Sequence, residues 1–247
     1  MKKYPIGIQI CTMRDVLAEN FTDTIKRIAD IGYDGIEFVS SRFGDNTPEQ
    51  VADLMNSLGL KTAGIHIKRT MAADPTYPGY EYAKALNAGT VVCSGLKKEF
   101  LPNFDTVYKE LRAVKAAAAK NGFGYAYHNH YWEFVKLEDG SCAYDKLVGD
   151  DLDVELDVYW LAQGGVDPVD YIKRYAKRLP LLHLKDRNPV SNTFTELGTG
   201  DIPLAKCVEA LEGSKCEWLI YEQDICNYPS IESARISYNN LKKILGY

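Results

Sequence analysis

The chain has 247 residues, of which 46% are hydrophobic and 26% charged, and its formal net charge is −5. The hydrophobic fraction excludes a disordered protein, and no apolar run approaches the roughly 18–20 residues that a membrane-spanning helix needs. The mildly acidic charge gives no electrostatic basis for binding nucleic acid, which depends on clustered lysine and arginine.

Short apolar or β-branched runs alternate along the chain with amphipathic stretches of helical spacing. The predicted strands are, in chain order, Ile6–Ile10, Gly35–Val39, Thr62–Ile67, Thr90–Cys93, Gly124–Tyr127, Val154–Val158, Leu181–Leu184 and Trp218–Tyr221. The predicted helices are Phe21–Ile31, Pro48–Leu58, a short Tyr80–Ala88, Asn103–Asn121, Pro168–Arg178, Leu204–Leu211 and Ser230–Leu245. Gly32, Gly59 and Gly122 follow predicted helix ends, a position that favours glycine.

Eight predicted strands, alternating with predicted helices in a chain of this length, predict a single (β/α)₈ barrel, or TIM barrel, in which residues 1–247 form one α/β domain. The alternative is a doubly wound open sheet, which usually has a glycine-rich phosphate loop after its first strand. Here the first strand is followed by Cys11-Thr12-Met13-Arg14-Asp15, and no G-x-G-x-x-G or Walker sequence occurs. The barrel is therefore favoured over a dinucleotide- or ATP-binding fold.

Polar residues collect at the C-terminal ends of the predicted strands, where barrel enzymes carry their active sites. All four histidines of the chain are among them. Because alternate residues of a strand face the same side, His128 and His130 are predicted to point together into the barrel, as are His183 and Lys185. The other polar or aromatic residues at these ends are Gln9, Glu37, His66, Glu133, Asp157, Trp160, Glu222 and Asp224.

Imidazoles and carboxylates that converge from different strands suit a divalent cation such as Mn²⁺, Mg²⁺, Co²⁺ or Zn²⁺. Asp157, His183 and Glu222 are the strongest ligand candidates, because each lies at the end of its own strand. Two of them also have a structural alternative, in which Asp157 caps the following turn and Glu222 pairs with a lysine. Taken together, the three residues predict one divalent metal site.

Short motifs follow one another over nearly the whole chain. They are Gly7-Ile8-Gln9 with Arg14-Asp15, Gly35-Ile36-Glu37, Tyr127-His128-Asn129-His130 with Glu133-Phe134, Leu156-Asp157-Val158-Tyr159-Trp160, His183-Leu184-Lys185-Asp186, Glu196-Leu197-Gly198-Thr199-Gly200-Asp201 and Tyr221-Glu222-Gln223-Asp224. Each motif alone is weak. The ordered set resembles the xylose-isomerase-like superfamily of sugar phosphate isomerases and epimerases, whose members fold as (β/α)₈ barrels.

The resemblance implies a metal held by Glu, Asp, His and Glu from strands five to eight. The last three match Asp157, His183 and Glu222, but His128 stands where the first glutamate is expected. Three alternatives follow: His128 is the fourth ligand, Glu133 reaches back to fill its place, or water completes a three-ligand site. We favour His128 as ligand or base and Mn²⁺ as the metal.

The chemistry implied by the resemblance is proton abstraction next to a sugar carbonyl, through an enediolate. The candidate catalytic residues are Glu222 as ligand and base, His128 or His130 on the other face, and Lys185 as a group that orients a substrate oxygen. The candidate substrate contacts are Gln9, Glu37, His66, Glu133 and Trp160. Expulsion of a β-leaving group would instead make the protein a dehydratase or lyase of a keto-sugar or cyclitol.

Two other classes of protein share the predicted fold. An abasic-site endonuclease needs a three-metal site and a basic groove, and neither the ligand set nor the net charge of −5 provides them. A non-catalytic sugar-binding barrel is disfavoured, because Asp157, His183 and Glu222 are all present.

The expected partner is a small sugar or keto-sugar, and neither nucleic acid nor a membrane is expected. An unphosphorylated substrate is favoured, because no glycine-rich phosphate loop is visible. The six cysteines form no Cys-x-x-Cys pair, which favours reduced thiols. With no apolar secretory signal near the N-terminus, the cytoplasm is the expected location. The resemblance also implies a homo-oligomer.

Overall fold

Eight parallel strands close into a barrel in the computed structural model, which describes residues 2–93, 96 and 98–246. The strands are β1 (Ile6–Gln9), β2 (Gly35–Val39), β3 (Lys61–His66), β4 (Thr90–Cys93), β5 (Gly124–His128), β6 (Asp153–Asp157), β7 (Leu181–Leu184) and β8 (Trp218–Tyr221). Each pairs with its neighbours in chain order, and β8 pairs with β1 to close the barrel. The predicted (β/α)₈ barrel is confirmed.

Helices connect the successive strands. The α-helices are α1 (Arg14–Leu17), α2 (Phe21–Ile31), α3 (Pro48–Ser57), α4 (Arg69–Ala72), α5 (Gly79–Ala85), α6 (Phe104–Lys120), α7 (Ala143–Val148), α8 (Val158–Gln163), α9 (Pro168–Tyr175), α10 (Leu204–Glu209) and α11 (Ser230–Leu245). Short 3₁₀ segments cover Ile10–Met13, Lys98–Asn103 and Ala176–Arg178. After β7, Asp186–Arg187 pairs with Phe194–Thr195 in a small antiparallel hairpin. Among the described residues, no helix has both the length and the apolarity that a membrane span requires.

Local hydrogen bonds explain where several helices begin. Thr47 and Gln50 form a reciprocal capping box at the start of α3. Asp157 ends β6 one residue earlier than predicted, because its side chain accepts a hydrogen bond from the Trp160 N–H and caps α8. The sequence pattern did not predict α8, since β-branched Val158 continues the apolar run of the strand.

The lower end of the barrel interior is filled by apolar side chains, which we call the apolar floor. Its members are Ala63, Val92, Leu181, Trp218 and Ile220. The indole of Trp218 lies so close to β2 that a methyl group on Gly35 would be 2.8 Å from its ring. Glycine is needed there, because a Cβ would meet this ring and, closer still, the backbone carbonyl oxygen of Lys61. The inward positions nearer the C-terminal ends of the strands carry ionisable side chains instead.

Candidate metal centre

Four side chains from four neighbouring strands meet at the C-terminal end of the barrel. His128 ends β5, Asp157 ends β6, His183 lies in β7 and Glu222 follows β8. All four are buried, and one donor atom of each lies within 4.8 Å of the other three. Asp157 Oδ2 is 3.9 Å from His128 Nε2 and 4.0 Å from His183 Nδ1, whereas Glu222 Oε2 is 3.1 Å from His183 Nδ1. We call these four residues the outer group.

The donor atoms of the outer group suit a divalent cation, because two imidazoles and two carboxylates form a mixed nitrogen and oxygen ligand set. Asp157 uses its two oxygens differently. Oδ1 caps α8, whereas the buried Oδ2 forms an ion pair with Lys185 and faces the other donor atoms of the outer group. Burial raises the pKa of Asp157 to about 6, although Lys185 and His183 act to lower it. The same carboxylate can therefore cap α8 through Oδ1 and bind a metal ion through Oδ2.

Lys185 places a buried ammonium beside the outer group. Its Nζ lies 3.1 Å from Asp157 Oδ2, 2.8 Å from Glu222 Oε2 and 2.8 Å from Asp224 Oδ2. Burial acts to lower the pKa of Lys185, but these carboxylates outweigh it and hold the pKa well above its usual value. Lys185 is therefore a permanent cation of the site. Asp186, the next residue, accepts hydrogen bonds from backbone N–H groups of the following loop.

Three more ionisable side chains, Glu37, His66 and Glu155, lie against the outer group, and we call them the inner group. His66 Nε2 is 3.0 Å from Glu37 Oε2 and 3.0 Å from Glu155 Oε2. Burial acts to lower the pKa of His66, but the two carboxylates outweigh it and raise the pKa to about 10. Gln9, at the end of β1, donates a hydrogen bond of 2.6 Å to Glu37 Oε2.

A cavity of about 380 Å³ opens directly onto these groups. Six of the predicted site residues line it together, namely Gln9, His66, His128, His130, Lys185 and Glu222. Asp224 and Cys11 also reach its surface. This volume is within the usual range for small-molecule sites. The structure thus brings most of the predicted site residues to one cavity at the C-terminal end of the barrel.

Aromatic rings are packed beside His130. Its ring stacks on Trp132 with centroids 4.6 Å apart, and Trp160 lies 5.5 Å from it. Lys185 Nζ is 5.3 Å from the centroid of the Trp160 ring. Burial, reinforced by Lys185, lowers the pKa of His130 to about 3, so its ring is neutral at pH 7. His130 Nδ1 and both indole nitrogens are buried without a hydrogen-bond partner in the described part of the chain.

Glu133 lies behind His130 and does not join the outer group. Its Oε1 accepts a hydrogen bond of 2.7 Å from the Tyr127 hydroxyl, and its Oε2 accepts one of 2.9 Å from the His130 N–H. Burial raises the pKa of Glu133 to about 7, although these hydrogen bonds act to lower it. The carboxylate therefore fixes the backbone after β5 and is not among the residues that line the cavity.

Glu155 is absent from the site residues that the sequence predicts. It precedes Asp157 by two residues on β6 and is fully buried. The alternation of Asp153, Glu155 and Asp157 was the available signal, because it gives all three the same inward direction. A carboxylate in the middle of a buried strand needs a partner inside the barrel. A pattern defined only by the C-terminal ends of the strands does not include such a residue.

Comparisons with known proteins agree with this architecture. A family model described as a xylose isomerase-like TIM barrel matches residues 25–244. The chain is similar to the solved structure of a sugar phosphate isomerase/epimerase from Parabacteroides distasonis ATCC 8503, with a TM-score of 0.81, 20% identity, and coverage of 98% of this chain and 94% of that one. A search of curated protein sequences finds no match.

Two further solved structures share the fold. The IOLI protein, whose structure has a bound zinc atom, has a TM-score of 0.74 at 15% identity, with 98% of each chain covered. An L-ribulose 3-epimerase has a TM-score of 0.73 at 16% identity, with 99% of this chain and 95% of that chain covered. At these identities the similarity establishes the shared fold.

Proposed function

The chain belongs to the xylose isomerase-like TIM barrel family, and from that premise we propose that it is a divalent-metal-dependent sugar isomerase or epimerase. The observation that carries the proposal is the outer group, in which two imidazoles and two carboxylates converge beside a cavity of about 380 Å³. The names of two relatives, a sugar phosphate isomerase/epimerase and an L-ribulose 3-epimerase, support the reaction class. The zinc atom of a third supports a metal.

The residues that would hold the cation are His128, Asp157, His183 and Glu222, through the donor atoms that face one another. Their nitrogen and oxygen ligands suit Mn²⁺, and also Zn²⁺, Co²⁺ or Mg²⁺. When bound, the cation supplies positive charge that polarises a substrate carbonyl and stabilises the neighbouring negative charge. Burial lowers the pKa of His128 well below its usual value, which keeps the imidazole neutral, as a metal ligand must be.

Glu222 is the proposed base for removing a proton from the carbon next to the carbonyl. Burial acts to raise the pKa of Glu222, but Lys185 and His183 outweigh it and hold the pKa well below its usual value. The carboxylate is therefore ionised but weakly basic while the ion pair with Lys185 persists. A substrate oxygen that accepts a hydrogen bond from Lys185 Nζ would weaken this ion pair and raise the basicity of Glu222.

His130 is the proposed partner for the second proton transfer. It lines the same cavity, its ring is neutral, and its buried Nδ1 lacks a hydrogen-bond partner among the described residues. Delivery of a solvent-derived proton by His130 to the same carbon from the opposite face, while Glu222 keeps the proton that it removed, gives the epimer. Transfer of the proton from Glu222 to the neighbouring carbon gives the isomer. Trp132 stacks on the His130 ring and Trp160 lies beside it, so the two indoles hold the orientation of this ring.

Solvent deuterium exchange tests this function directly. The Mn²⁺-loaded protein is incubated in D₂O with free and phosphorylated ketoses, aldoses and keto-sugars, and the products are read by NMR. We expect deuterium at a carbon next to the carbonyl, loss of exchange after chelation, and recovery when Mn²⁺ is returned. Glu222→Gln should abolish exchange, whereas Glu217→Gln, which changes an exposed residue just before β8, should preserve it.

The other outcomes are equally informative. Exchange that persists after complete chelation, or in Glu222→Gln, contradicts the proposed metal-dependent proton abstraction. Loss of a β-substituent from the substrate, with deuterium in the eliminated product, would instead establish the dehydratase or lyase alternative. Absence of exchange with every substrate, together with tight binding of a sugar, would establish a sugar-binding barrel.

A further inference from the structure

Each imidazole of the outer group has its two ring nitrogens between two different carboxylates. His128 directs Nε2 toward Asp157 and places Nδ1 2.8 Å from Glu155 Oε2. His183 places Nδ1 3.1 Å from Glu222 Oε2 and Nε2 2.7 Å from Glu37 Oε2. Both rings therefore have one nitrogen on the metal-binding side and the other nitrogen against an inner-group carboxylate.

This arrangement decides which ring nitrogen of His128 carries the proton when the imidazole is neutral. An ionised carboxylate only accepts hydrogen bonds, so the His128 nitrogen that faces Glu155 must be the N–H donor. The opposite nitrogen of His128, Nε2, then directs its lone pair toward the outer group. Both nitrogens of His183 lie at hydrogen-bond distance from a carboxylate, so the same argument does not choose between them. Hydrogen bonds from a metal-binding imidazole to a carboxylate fix the ring orientation and increase its basicity as a ligand.

We propose that the inner group consists of positioning residues, and that Glu155 in particular makes His128 a metal ligand. This inference rests on the proposed metal site. Glu155 Oε2 lies 2.8 Å from His128 Nδ1 and 3.0 Å from His66 Nε2. Glu155 lies on β6, next to β5, so its register opposite His128 is set by the barrel itself.

His66 holds the two inner carboxylates together. Its Nε2 lies 3.0 Å from Glu37 Oε2 and from Glu155 Oε2, and it therefore offsets the repulsion between two buried negative charges. Glu37 is held further by the Gln9 amide. With their positions fixed, Glu37 orients His183 and Glu155 orients His128. The His66 ring, which contacts both carboxylates, therefore helps to fix the orientation of both proposed ligands.

Glu155 also supplies negative charge beside the proposed metal site, which the neutral His128 ring does not. Asp157 and Glu222 are the carboxylates of the outer group, and Lys185 lies within 3.1 Å of both and offsets part of their charge. A neutral imidazole adds no negative charge toward a divalent cation. The hydrogen bond from His128 Nδ1 brings the negative charge of Glu155 into contact with the His128 ring. Both groups are buried, and the lower dielectric constant there strengthens electrostatic interactions.

The effect of Glu155→Gln on metal binding tests the proposal. Mn²⁺ affinity is measured by titration with EPR detection, and pulsed EPR of the bound ion counts the imidazole nitrogens that are coupled to it. We expect about 10–100-fold weaker binding in Glu155→Gln, as for other carboxylates that orient a metal-binding histidine. The coupled imidazoles should fall from two to one. Asp153→Asn, on the same strand at the opposite end of the barrel, should bind as wild type does.

A double-mutant cycle separates positioning from a general structural effect. In a His128→Ala background the only contact of Glu155 with a proposed ligand that remains is the longer one of Oε2 with His183 Nε2, at 3.3 Å, so Glu155→Gln should weaken Mn²⁺ binding by less than about threefold. If Glu155→Gln does not fold, as judged by circular dichroism, Glu37→Gln is measured instead and should lose the coupling of His183. Wild-type imidazole coupling in a folded variant overturns the proposal.

Two results separate this inference from the proposed function. Uptake of no divalent cation by the wild-type protein would overturn the proposed function and with it the metal site. Wild-type uptake of two cations, falling to one in Glu155→Gln, would leave the metal enzyme in place but overturn the positioning role, because the inner group would then be a metal site itself. A single wild-type cation, bound more weakly in Glu155→Gln, supports the inference.

Discussion

The two levels of the barrel interior are built from the same strands but have opposite chemistry. On β7, Leu181 belongs to the apolar floor and His183, two residues later, belongs to the outer group. Ile220 on β8 and Glu222, just after this strand, are related in the same way. Two residues along a strand therefore separate a surface that excludes charge from a cluster of buried charges.

The comparison shows where the fold is stabilised and where stability is given up. Burial of Trp218 and its neighbours removes apolar area from water, which favours folding. Burial of Asp157 raises its pKa to about 6, which means that the folded state disfavours its charged form. Natural proteins commonly tolerate such destabilised positions where function requires them. The floor is therefore expected to control stability, and the outer group to control activity.

Asp157→Asn should give the largest effect on activity, with little effect on stability. The asparagine oxygen can still accept the Trp160 N–H and cap α8, because asparagine is a good N-cap residue. The anionic oxygen that faces the other donors is lost. We expect turnover to fall on the order of 10⁴-fold, or about 5 kcal/mol, once a substrate has been identified. Steady-state kinetics and metal analysis measure the loss.

The free energy of unfolding of Asp157→Asn should match or exceed that of the metal-free wild type, because a buried carboxylate has been removed. Urea unfolding of both proteins in the presence of a chelator provides this comparison. A large drop in stability with unchanged metal content would contradict the separation of the two levels, since Asp157 would then act mainly as a helix cap.

Trp218→Ala should have the opposite pattern. Truncation of the indole leaves a cavity between β1, β2 and β8, because Gly7 and Gly35 have no side chains to fill it. Large-to-small changes of this kind cost about 3–5 kcal/mol. The midpoint of urea unfolding should fall accordingly, while Mn²⁺ affinity per folded molecule stays at the wild-type value. Trp218→Phe, which fills more of the space than alanine, should lose less stability. A change in Mn²⁺ affinity in both variants would show that the apolar floor and the outer group are coupled.

The sequence predicts the barrel well because the information is local and repeated. Each apolar run is bounded by polar, glycine or proline residues, so Gly35–Val39, Thr90–Cys93, Leu181–Leu184 and Trp218–Tyr221 have the same bounds in the prediction and the structure. Strand alternation also brings His183 and Lys185 into one site, as predicted. The end of β6 is different, because the cap formed by Asp157 is a side-chain interaction that hydrophobic periodicity does not encode.

The inner group is harder to predict because it depends on contacts across the barrel. Glu37 and His183 are separated by 146 positions in sequence, yet their side chains are 2.7 Å apart. The register between β2 and β3 shifts at Ile36 and Glu37, so the position of Glu37 does not follow from regular pairing. Residue spacing also leaves open whether Glu133 reaches the metal or turns back toward His130, since that depends on side-chain rotation.

The smallest predicted effect concerns Glu133, whose buried carboxyl group has its pKa raised to about 7. From the usual value near 4.5 up to about 7, the folded protein binds more protons at this site than the unfolded chain does. This site therefore lowers stability as pH rises through that window. The loss should total up to about 3 kcal/mol, and it should be complete above pH 7.

Glu133→Gln should remove this part of the pH dependence. The glutamine oxygen can accept the His130 N–H while its amide group donates to the Tyr127 hydroxyl oxygen, so both contacts are preserved. Urea unfolding from pH 4.5 to 8 should show the wild type losing up to about 3 kcal/mol more stability than the variant. Glu138→Gln, in the exposed part of the same loop, should follow the wild-type profile. Parallel profiles for wild type and Glu133→Gln would mean that Glu133 is ionised in the folded protein. Its burial behind His130 would then cost no stability at neutral pH, and the destabilised carboxylates would be confined to the outer group.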